Sequence, residues 1–308
     1  MKHFYSNGKL LITGEYVVLD GAKALALPTT FGQSLTIESI PESKLIWKSL
    51  DEKGLVWFEN IFGLDLKTLL QASNPSQQHG NQDISKRLVQ ILHAVHKLNP
   101  DILNSDKGFK ITTQLDFPRH WGLGTSSTLI NNVAQWTNTD AFTLLKTTFG
   151  GSGYDIACAQ TNHPILYALH KGKPHIKEVA FNPTFQSQLY FIYLDKKQNS
   201  RDGIAHYKEQ KGSLTSEISE INDITSKIIA CKTLKTFGTL ISAHETIIAK
   251  VTKQNPVKSL LFPDFNGSIK SLGAWGGDFI LAASEENPIP YFKERGFHTV
   301  LPYSDMIL

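Results

Sequence analysis

The stretch Pro118-Arg119-His120-Trp121-Gly122-Leu123-Gly124-Thr125-Ser126-Ser127-Thr128 constrains this chain more than any other. Before it, Phe109 to Leu115 alternates apolar and polar residues as a strand does; after it, Ser126 to Trp136 repeats apolar residues at helical spacing. The order is strand, glycine turn, helix. Gly122 and Gly124 permit positive φ and a close backbone approach, and the helix that follows points unpaired N–H groups and its positive end into the turn. Such a place favours a phosphate. Thr125, Ser126 and Ser127 add hydroxyls that suit phosphate oxygens or a magnesium ion, and suit equally a plain helix N-cap. The common phosphate loop, Gly-x-x-x-x-Gly-Lys-Ser/Thr, occurs nowhere. Gly151-Ser152-Gly153 has the first two glycines of a dinucleotide fingerprint, but residue 156 is Ile.

Three further constellations accompany this turn. Asn7-Gly8-Lys9 with Gly14-Glu15-Tyr16 sets a lysine and then a carboxylate in a strand-like region, where the bland reading is an exposed strand lysine. Gly153-Tyr154-Asp155 puts an acid at a helix start, where the N-terminal dipole favours its ionised form whether or not it has a chemical role. Gly273-Ala274-Trp275-Gly276-Gly277-Asp278 reads as a tight hairpin between strands. His93 and His96 lie three apart on a helix without a third ligand at recognisable spacing, so no structural metal is expected.

At 308 residues the chain exceeds what one core usually organises, and two domains are expected, divided at 184/185 where Asn182-Pro183 and polar residues interrupt the pattern. Lys and Arg exceed Asp and Glu by 31 − 28 = 3. With no dense basic block, this balance argues against a nucleic-acid partner. No 18-residue apolar run offers a membrane span, the start lacks a secretory signal, and Cys158 and Cys231 are the only cysteines. A cytoplasmic, disulfide-free protein with a small-molecule substrate is expected, a monomer or homodimer.

Along the chain, Phe4 to Leu27 reads as β structure with turns at Asn7-Gly8 and Asp20-Gly21, and Ser34 to Ile40, Lys44 to Ser49 and Gly54 to Glu59 as further strands. Gln71 to Gln82 is polar and aperiodic and reads as an exposed loop or a lid. Asp83 to Leu98 reads as a helix. Beyond Leu189 to Leu194 the pattern turns helical over Gly203 to Gln210, Ser213 to Cys231 and Thr233 to Val251, with strands at Ser268 to Gly273, Asp278 to Ala283 and His298 to Leu301. The fold class is α+β.

Together, the order of these motifs resembles the GHMP kinase superfamily over nearly the whole chain, and most of all its phosphomevalonate kinase and mevalonate kinase branches. The family's first motif is met by Gly8-Lys9 and Gly14-Glu15, its second by Pro118, Gly122, Leu123, Gly124, Thr125 and Ser126, and its third by Gly273, Ala274, Gly276 and Gly277. Gly153-Tyr154-Asp155-Ile156-Ala157 is similar to a Gly-Tyr-Asp-Ile-Ala subgroup. Three departures stand out: Thr125 replaces a serine, Trp275 replaces a glycine, and Leu144 lies near the position where mevalonate kinase carries a magnesium-binding glutamate.

The resemblance implies an N-terminal, ribosomal-protein-like α/β domain that binds ATP and a ferredoxin-like C-terminal domain, with the active site between them. It implies ATP and Mg²⁺ as cofactors. ATP phosphates would lie on Gly122, Leu123, Gly124, Thr125, Ser126 and Ser127, with magnesium on the Thr125 and Ser126 hydroxyls. Asp155 and Lys9 would be catalytic, and Glu15, Gly153, Tyr154, Gly276 and Gly277 would line the substrate. The implied reaction is phosphoryl transfer to an alcohol or phosphate acceptor, phosphomevalonate or mevalonate in isoprenoid precursor synthesis. A related decarboxylase and a binding protein without catalysis remain alternatives.

Overall fold

Alternation in Lys44-Leu45-Ile46-Trp47-Lys48-Ser49-Leu50 turns Leu45, Trp47 and Ser49 inward and leaves the intervening residues half-exposed, the pattern of a strand covered on one face. The computed structural model describes residues 1–64, 79–102, 107–196, 200–210 and 212–308. The expected loop Gln71 to Gln82 falls largely outside them, and from His79 the chain is already helical. The chain folds as two compact units that interleave along the sequence. The first comprises Met1–Gly8, Phe31–Arg119 and Gly124–Gln160; the second comprises Lys9–Thr30, His120–Leu123 and Thr161–Leu308.

Strands β1 (Lys2–Leu11) and β2 (Ala24–Ile40) pair with each other, and each contributes residues to both units. In the first unit, β3 (Lys44–Leu50), β4 (Val56–Gly63) and β5 (Gly108–Leu115) complete a sheet in the order β4-β3-β5-β2, antiparallel except for β3 beside β5. Among the described residues, the α-helices of this unit are α1 (His79–Leu98), α2 (Thr125–Thr137), α3 (Ala141–Thr148) and α4 (Tyr154–Ala159). The inward residues of α1, Leu88, Ile91, Leu92 and Val95, join Trp47, Phe58, Phe62 and Ile111 of the sheet in one core, and Leu144 of α3 is fully buried there. Each such side chain contributes roughly 1.5–3 kcal/mol. Asp140 caps α3, its carboxylate accepting the Thr143 N–H at 2.7 Å.

In the second unit, the start of β2 pairs with β6 (Ile165–His170), and β6 with β7 (Lys173–Glu178). A separate antiparallel sheet runs in the order β11-β8-β10-β9, from β8 (Leu189–Tyr193), β9 (Ser268–Ser271), β10 (Phe279–Ala283) and β11 (Val300–Pro302). Helices α5 (Ser200–Gln210), α6 (Thr215–Ala230) and α7 (Leu234–Thr252) fall where the periodicity puts them; the short α8 (Val257–Leu261), α9 (Ile289–Glu294) and α10 (Tyr303–Met306) gave no periodic signal. Neither cysteine is in a disulfide and both are buried, Cys158 in the first unit and Cys231 in the second.

Two local readings change. Asn7-Gly8 makes no turn, because β1 runs straight through it, and Val17–Asp20 is a 3₁₀ turn instead of a strand. Its β-branched residues are buried all round, with Val17 wholly inaccessible, so their hydrophobicity serves a packed turn as readily as a strand. Among the described residues, no helix is long and apolar enough to cross a membrane.

The face that α2 turns inward is partly polar. Ser6 Oγ donates to Asn132 Oδ1 at 2.7 Å and accepts from Asn131 Nδ2 at 2.9 Å, while Asn132 Nδ2 donates to the Gln33 carbonyl at 2.8 Å. Thr128 Oγ1 donates to Gln33 Oε1 at 2.7 Å, and Gln160 Nε2 to Asn131 Oδ1 at 2.9 Å. Asn131 and Asn132 are both fully buried. Asn132→Ala would leave the buried Ser6 hydroxyl without its acceptor and take the Asn132 donor from the Gln33 carbonyl, and is expected to lower stability by about 2–4 kcal/mol. Urea unfolding checks this, and a loss under about 0.5 kcal/mol would show the seam to be dispensable.

Candidate functional site

Asp116 fixes the exit from β5 in the first unit. Its carboxylate accepts from the Tyr5 hydroxyl at 2.7 Å and from the Gly32 N–H at 3.0 Å, and its own N–H donates to the Gly32 carbonyl at 3.2 Å. The chain then makes the glycine turn and enters α2 with Gly124 at φ 98° as N-cap. No side chain caps this helix. The expected Ser/Thr cap is absent because Gly124, which has no side chain, takes the N-cap position and Thr125, Ser126 and Ser127 already lie within the helix. Ser127 donates to Asp155 Oδ2, and Thr128 to Gln33 and back to the Gly124 and Thr125 carbonyls. The first turn of this 13-residue helix thus keeps its N–H groups clear of side-chain acceptors, at the positive end of the dipole.

Asp155 stands in the first turn of α4, behind Gly153 at φ 88°. Its Oδ2 accepts a hydrogen bond from the Ser127 hydroxyl and its Oδ1 accepts one from the Ile156 N–H at 3.2 Å. The carboxylate is therefore oriented from both sides, by the helix that opens the glycine turn and by its own backbone. Ser127 is buried, Asp155 and Thr125 are half-buried, and Ser126 is exposed. Gly150 and Gly151 ahead of α4 also have positive φ, and nothing lies near where their side chains would be.

In the second unit, Lys9 is bound to the first half of the same glycine turn. Its backbone N–H donates to the Leu123 carbonyl at 3.0 Å, and its Nζ to the Gly122 carbonyl at 2.9 Å. Trp121 sets its ring edge-on to Phe279 with centroids 5.4 Å apart, and the Tyr193 hydroxyl donates to the His120 carbonyl at 3.2 Å. The third glycine-rich segment is the hairpin between β9 and β10, with positive φ at Gly273, Trp275, Gly276 and Asp278. Asp278 is pinned by its N–H to the Lys196 carbonyl at 2.7 Å and by its carbonyl to the Leu194 N–H at 2.8 Å. A Cβ on Gly122 would lie 2.4 Å from the Asp278 carboxyl carbon, and φ there is +70°. Only glycine fits. Asp278 closes the third glycine-rich motif, whose residue pattern gives this carboxylate no role of its own.

Glu15 lies elsewhere than at a surface. It is 1% exposed, and Lys270 of β9, wholly buried, donates to its Oε1 at 2.5 Å and to the Ser271 carbonyl at 2.6 Å. Lys270 Nζ is also 3.1 Å from Glu245 Oε1, while Ser271 Oγ donates to Glu245 Oε2 at 2.8 Å. His244 Nε2 accepts the Gly14 N–H at 2.9 Å, so the ring is the neutral Nδ1–H tautomer. Its 3.5 Å approach to Glu15 Oε2 is therefore not an ion pair. Sequence alone hinted at this cluster only through Ile241, His244, Glu245 and Ile248, two polar residues on the buried stripe of α7.

Burial raises the Glu15 carboxyl from 4.5 to about 7 despite Lys270 beside it. Burial, with Lys270 adding to it, holds His244 well below its usual 6.5. Burial also opposes the Lys270 ammonium, but Glu15 and Glu245 carry it above the ordinary lysine value. The first two shifts have opposite signs in stability. Between pH 7 and 4.5 the folded protein binds a proton at Glu15 that the unfolded chain does not, which gains stability on acidification. Below 6.5 the unfolded chain protonates His244 and the folded protein does not, which loses stability. Glu15→Gln removes the compensating term. Its stability is expected to fall more steeply than wild type from pH 6.5 to 5, by about 1.4 kcal/mol per pH unit, in urea unfolding at both pH values. Equal slopes would refute the assignment.

Neither a protein-family model nor a curated protein sequence matches this chain. Solved structures do. Mevalonate kinase from Methanococcus jannaschii superposes with a TM-score of 0.68 at 18% identity, covering 97% of this chain and 96% of that one. Phosphomevalonate kinase from Streptococcus pneumoniae, solved in complex with phosphomevalonate and AMPPNP, gives 0.69 at 16% identity over 100% of this chain and 98% of its own. Lactococcus lactis galactokinase, solved with galactose, gives 0.67 at 14% identity over 95% and 88%. From end to end, the fold of this chain is that of the GHMP kinases.

Proposed function

We propose that this protein is an ATP-dependent small-molecule kinase that transfers a γ-phosphoryl group to an alcohol or phosphate oxygen. Phosphomevalonate and mevalonate are the first acceptors to consider. The observation that carries this reading is the Ser127–Asp155 hydrogen bond, which ties a carboxylate to the opening turn of a helix whose N–H groups no side chain caps. Phosphoryl transfer asks for charge stabilisation and in-line positioning more than for covalent chemistry, and that pairing supplies both.

In this reading, ATP phosphates lie on Gly122 to Ser127. Magnesium would be held by those phosphates with the Thr125 and Ser126 hydroxyls, and supplies charge neutralisation across the transferred group. Asp155 takes or orients the proton of the attacking hydroxyl, the oxygen bonds to the γ-phosphorus, and ADP leaves with the displaced electron pair. Lys9 is assigned to steady the charge that develops on the transferred group. Gly153, Tyr154, Gly276 and Gly277 are assigned to the acceptor. The halves 1–184 and 185–308 are proposed as the ATP-binding and C-terminal portions of such an enzyme, working in the cytoplasm.

Trp275 supports a working enzyme over a disabled one. Its ring is 1% exposed and packs against Tyr16 and Tyr207 in the core, so it does not stand in the ligand's way. The test is ADP release from the purified protein with Mg-ATP and mevalonate, phosphomevalonate, homoserine or sugars, with carbon dioxide measured in parallel. One acceptor is expected to release ADP without carbon dioxide. For that acceptor, Asp155→Asn is expected to lower kcat by about 10²–10⁴ while ATP affinity changes less than about threefold. Normal turnover in this variant would remove Asp155 from the chemistry, and ADP release with no acceptor would remove the transferase reading.

A further inference from the structure

The buried cluster around Lys270 does something the reaction as described does not use. Three oxygens surround its ammonium: Glu15 Oε1 at 2.5 Å, the Ser271 carbonyl at 2.6 Å and Glu245 Oε1 at 3.1 Å. On a further side lies the Trp275 ring, its centroid 5.7 Å away and within cation–π reach. These partners come from the turn that follows β1, from α7 and from the β9–β10 hairpin. The cluster is costly. Glu15 Oε2, His244 Nδ1, the Tyr16 hydroxyl and Trp275 Nε1 are buried without a hydrogen-bond partner, and a buried ion pair rarely stabilises a fold beyond what apolar packing would. A cluster held at such cost is better explained by the arrangement it specifies than by stability.

That arrangement is short in chain terms. Five residues separate Glu15 from Lys9, whose ammonium and backbone N–H both hold the 120–123 segment. Two residues separate Trp275 from Asp278, whose carboxyl group fills the space beside Gly122. Tyr16 at φ 62° and Trp275 at φ 48° both hold left-handed backbone that a bulky side chain disfavours, and both rings pack into one cluster with Val17, Ala22 and Tyr207. Two strained turns thus share a single buried cation.

We infer that Lys270 is a positioning residue of the phosphate site: through Glu15 and Trp275 it sets the Gly14–Tyr16 and Gly273–Asp278 turns, and through them Lys9 and Asp278 on the Gly122 turn. The site so positioned is the one assigned to ATP above, and the consequence for ATP rests on that assignment. Trp275, which departs from a glycine in the family pattern, is in this light the aromatic partner that lets the cation reach the third turn.

The test compares wild type with Lys270→Met by amide hydrogen exchange on the full chain and by titration with Mg-ATP. Exchange is expected to rise in 10–16, 120–124 and 272–278 while 44–50 and 108–115 keep their protection, and ATP affinity to weaken about tenfold with kcat within about threefold of wild type. Trp275→Gly is expected to reproduce the exchange change at 272–278, and Trp275→Phe, which keeps a ring, to leave it nearly as in wild type. Increases confined to 268–271, or spread evenly over the chain, would overturn the inference, as would unchanged ATP affinity in a variant whose wild type binds ATP. Failure of the wild type itself to bind ATP would overturn the kinase reading, and the exchange pattern would still decide the role of Lys270. Should Lys270→Met not fold, the neutral triple variant Glu15→Gln, Glu245→Gln, Lys270→Met removes the stranded charges and is read against the same expectations.

Discussion

Gly122 has no room for a side chain and no right-handed backbone, and much of the second unit is arranged around that fact. Its carbonyl holds the Lys9 ammonium, and the space where a Cβ would stand is filled by the Asp278 carboxyl group. A hydrogen bond and a steric contact therefore join three segments that lie more than a hundred residues apart. Aromatic packing of Trp121 and Tyr193 against Phe279 keeps the peptide planes of this turn from rotating away. Where the chain continues into the first unit, the logic becomes that of a helix end. Gly124 stands at the cap position of α2 with no side chain to offer, and the Ser127 and Thr128 hydroxyls are committed to Asp155 and Gln33, so no side chain caps the positive end of the helix dipole.

The interior carries more polarity than a domain of this size requires. In the first unit the polar seam under α2 is fully paired, and it reads as register: Asn131 and Asn132 can bond to Ser6 and Gln33 in only one seating of the helix on the sheet. In the second unit the Glu15 cluster is not fully paired, and two carboxylates share one ammonium with a neutral imidazole alongside. The first arrangement stabilises as well as specifies. The second specifies at a cost, which is the more informative of the two about what the structure has to keep in place.

Much of the frame was legible in the residues because its signals are backbone signals. Glycines needing positive φ at 122, 124, 153 and 273, and helical periodicity over 126 to 136, 213 to 231 and 233 to 251, led to the turns and helices found. What escaped is what depends on company. Lys270, Glu245 and His244 look like surface residues until the elements around them are assembled, since a charged side chain announces burial only through its partners. Val17 to Leu19 has the composition of a strand, and only its packing against Tyr16 and Tyr207 reveals a 3₁₀ turn. Short helices such as α8 and α9 span too few residues for a period to register. At the candidate site, the residues of the glycine turn are visible in the sequence, whereas the Ser127–Asp155 bond and the approach of the Asp278 carboxyl group to Gly122 depend on tertiary structure.

The two thiols have a use that neither motif nor mechanism suggests. Cys158 is wholly buried in the first unit and Cys231 nearly so in the second, neither is in a disulfide, and the sequence holds no other cysteine. A small alkylating reagent therefore meets two clocks, one per unit, and the order in which peptides bearing them become labelled reads out which half of the architecture breathes first. Nature has, in effect, supplied this chain with a matched pair of internal reporters.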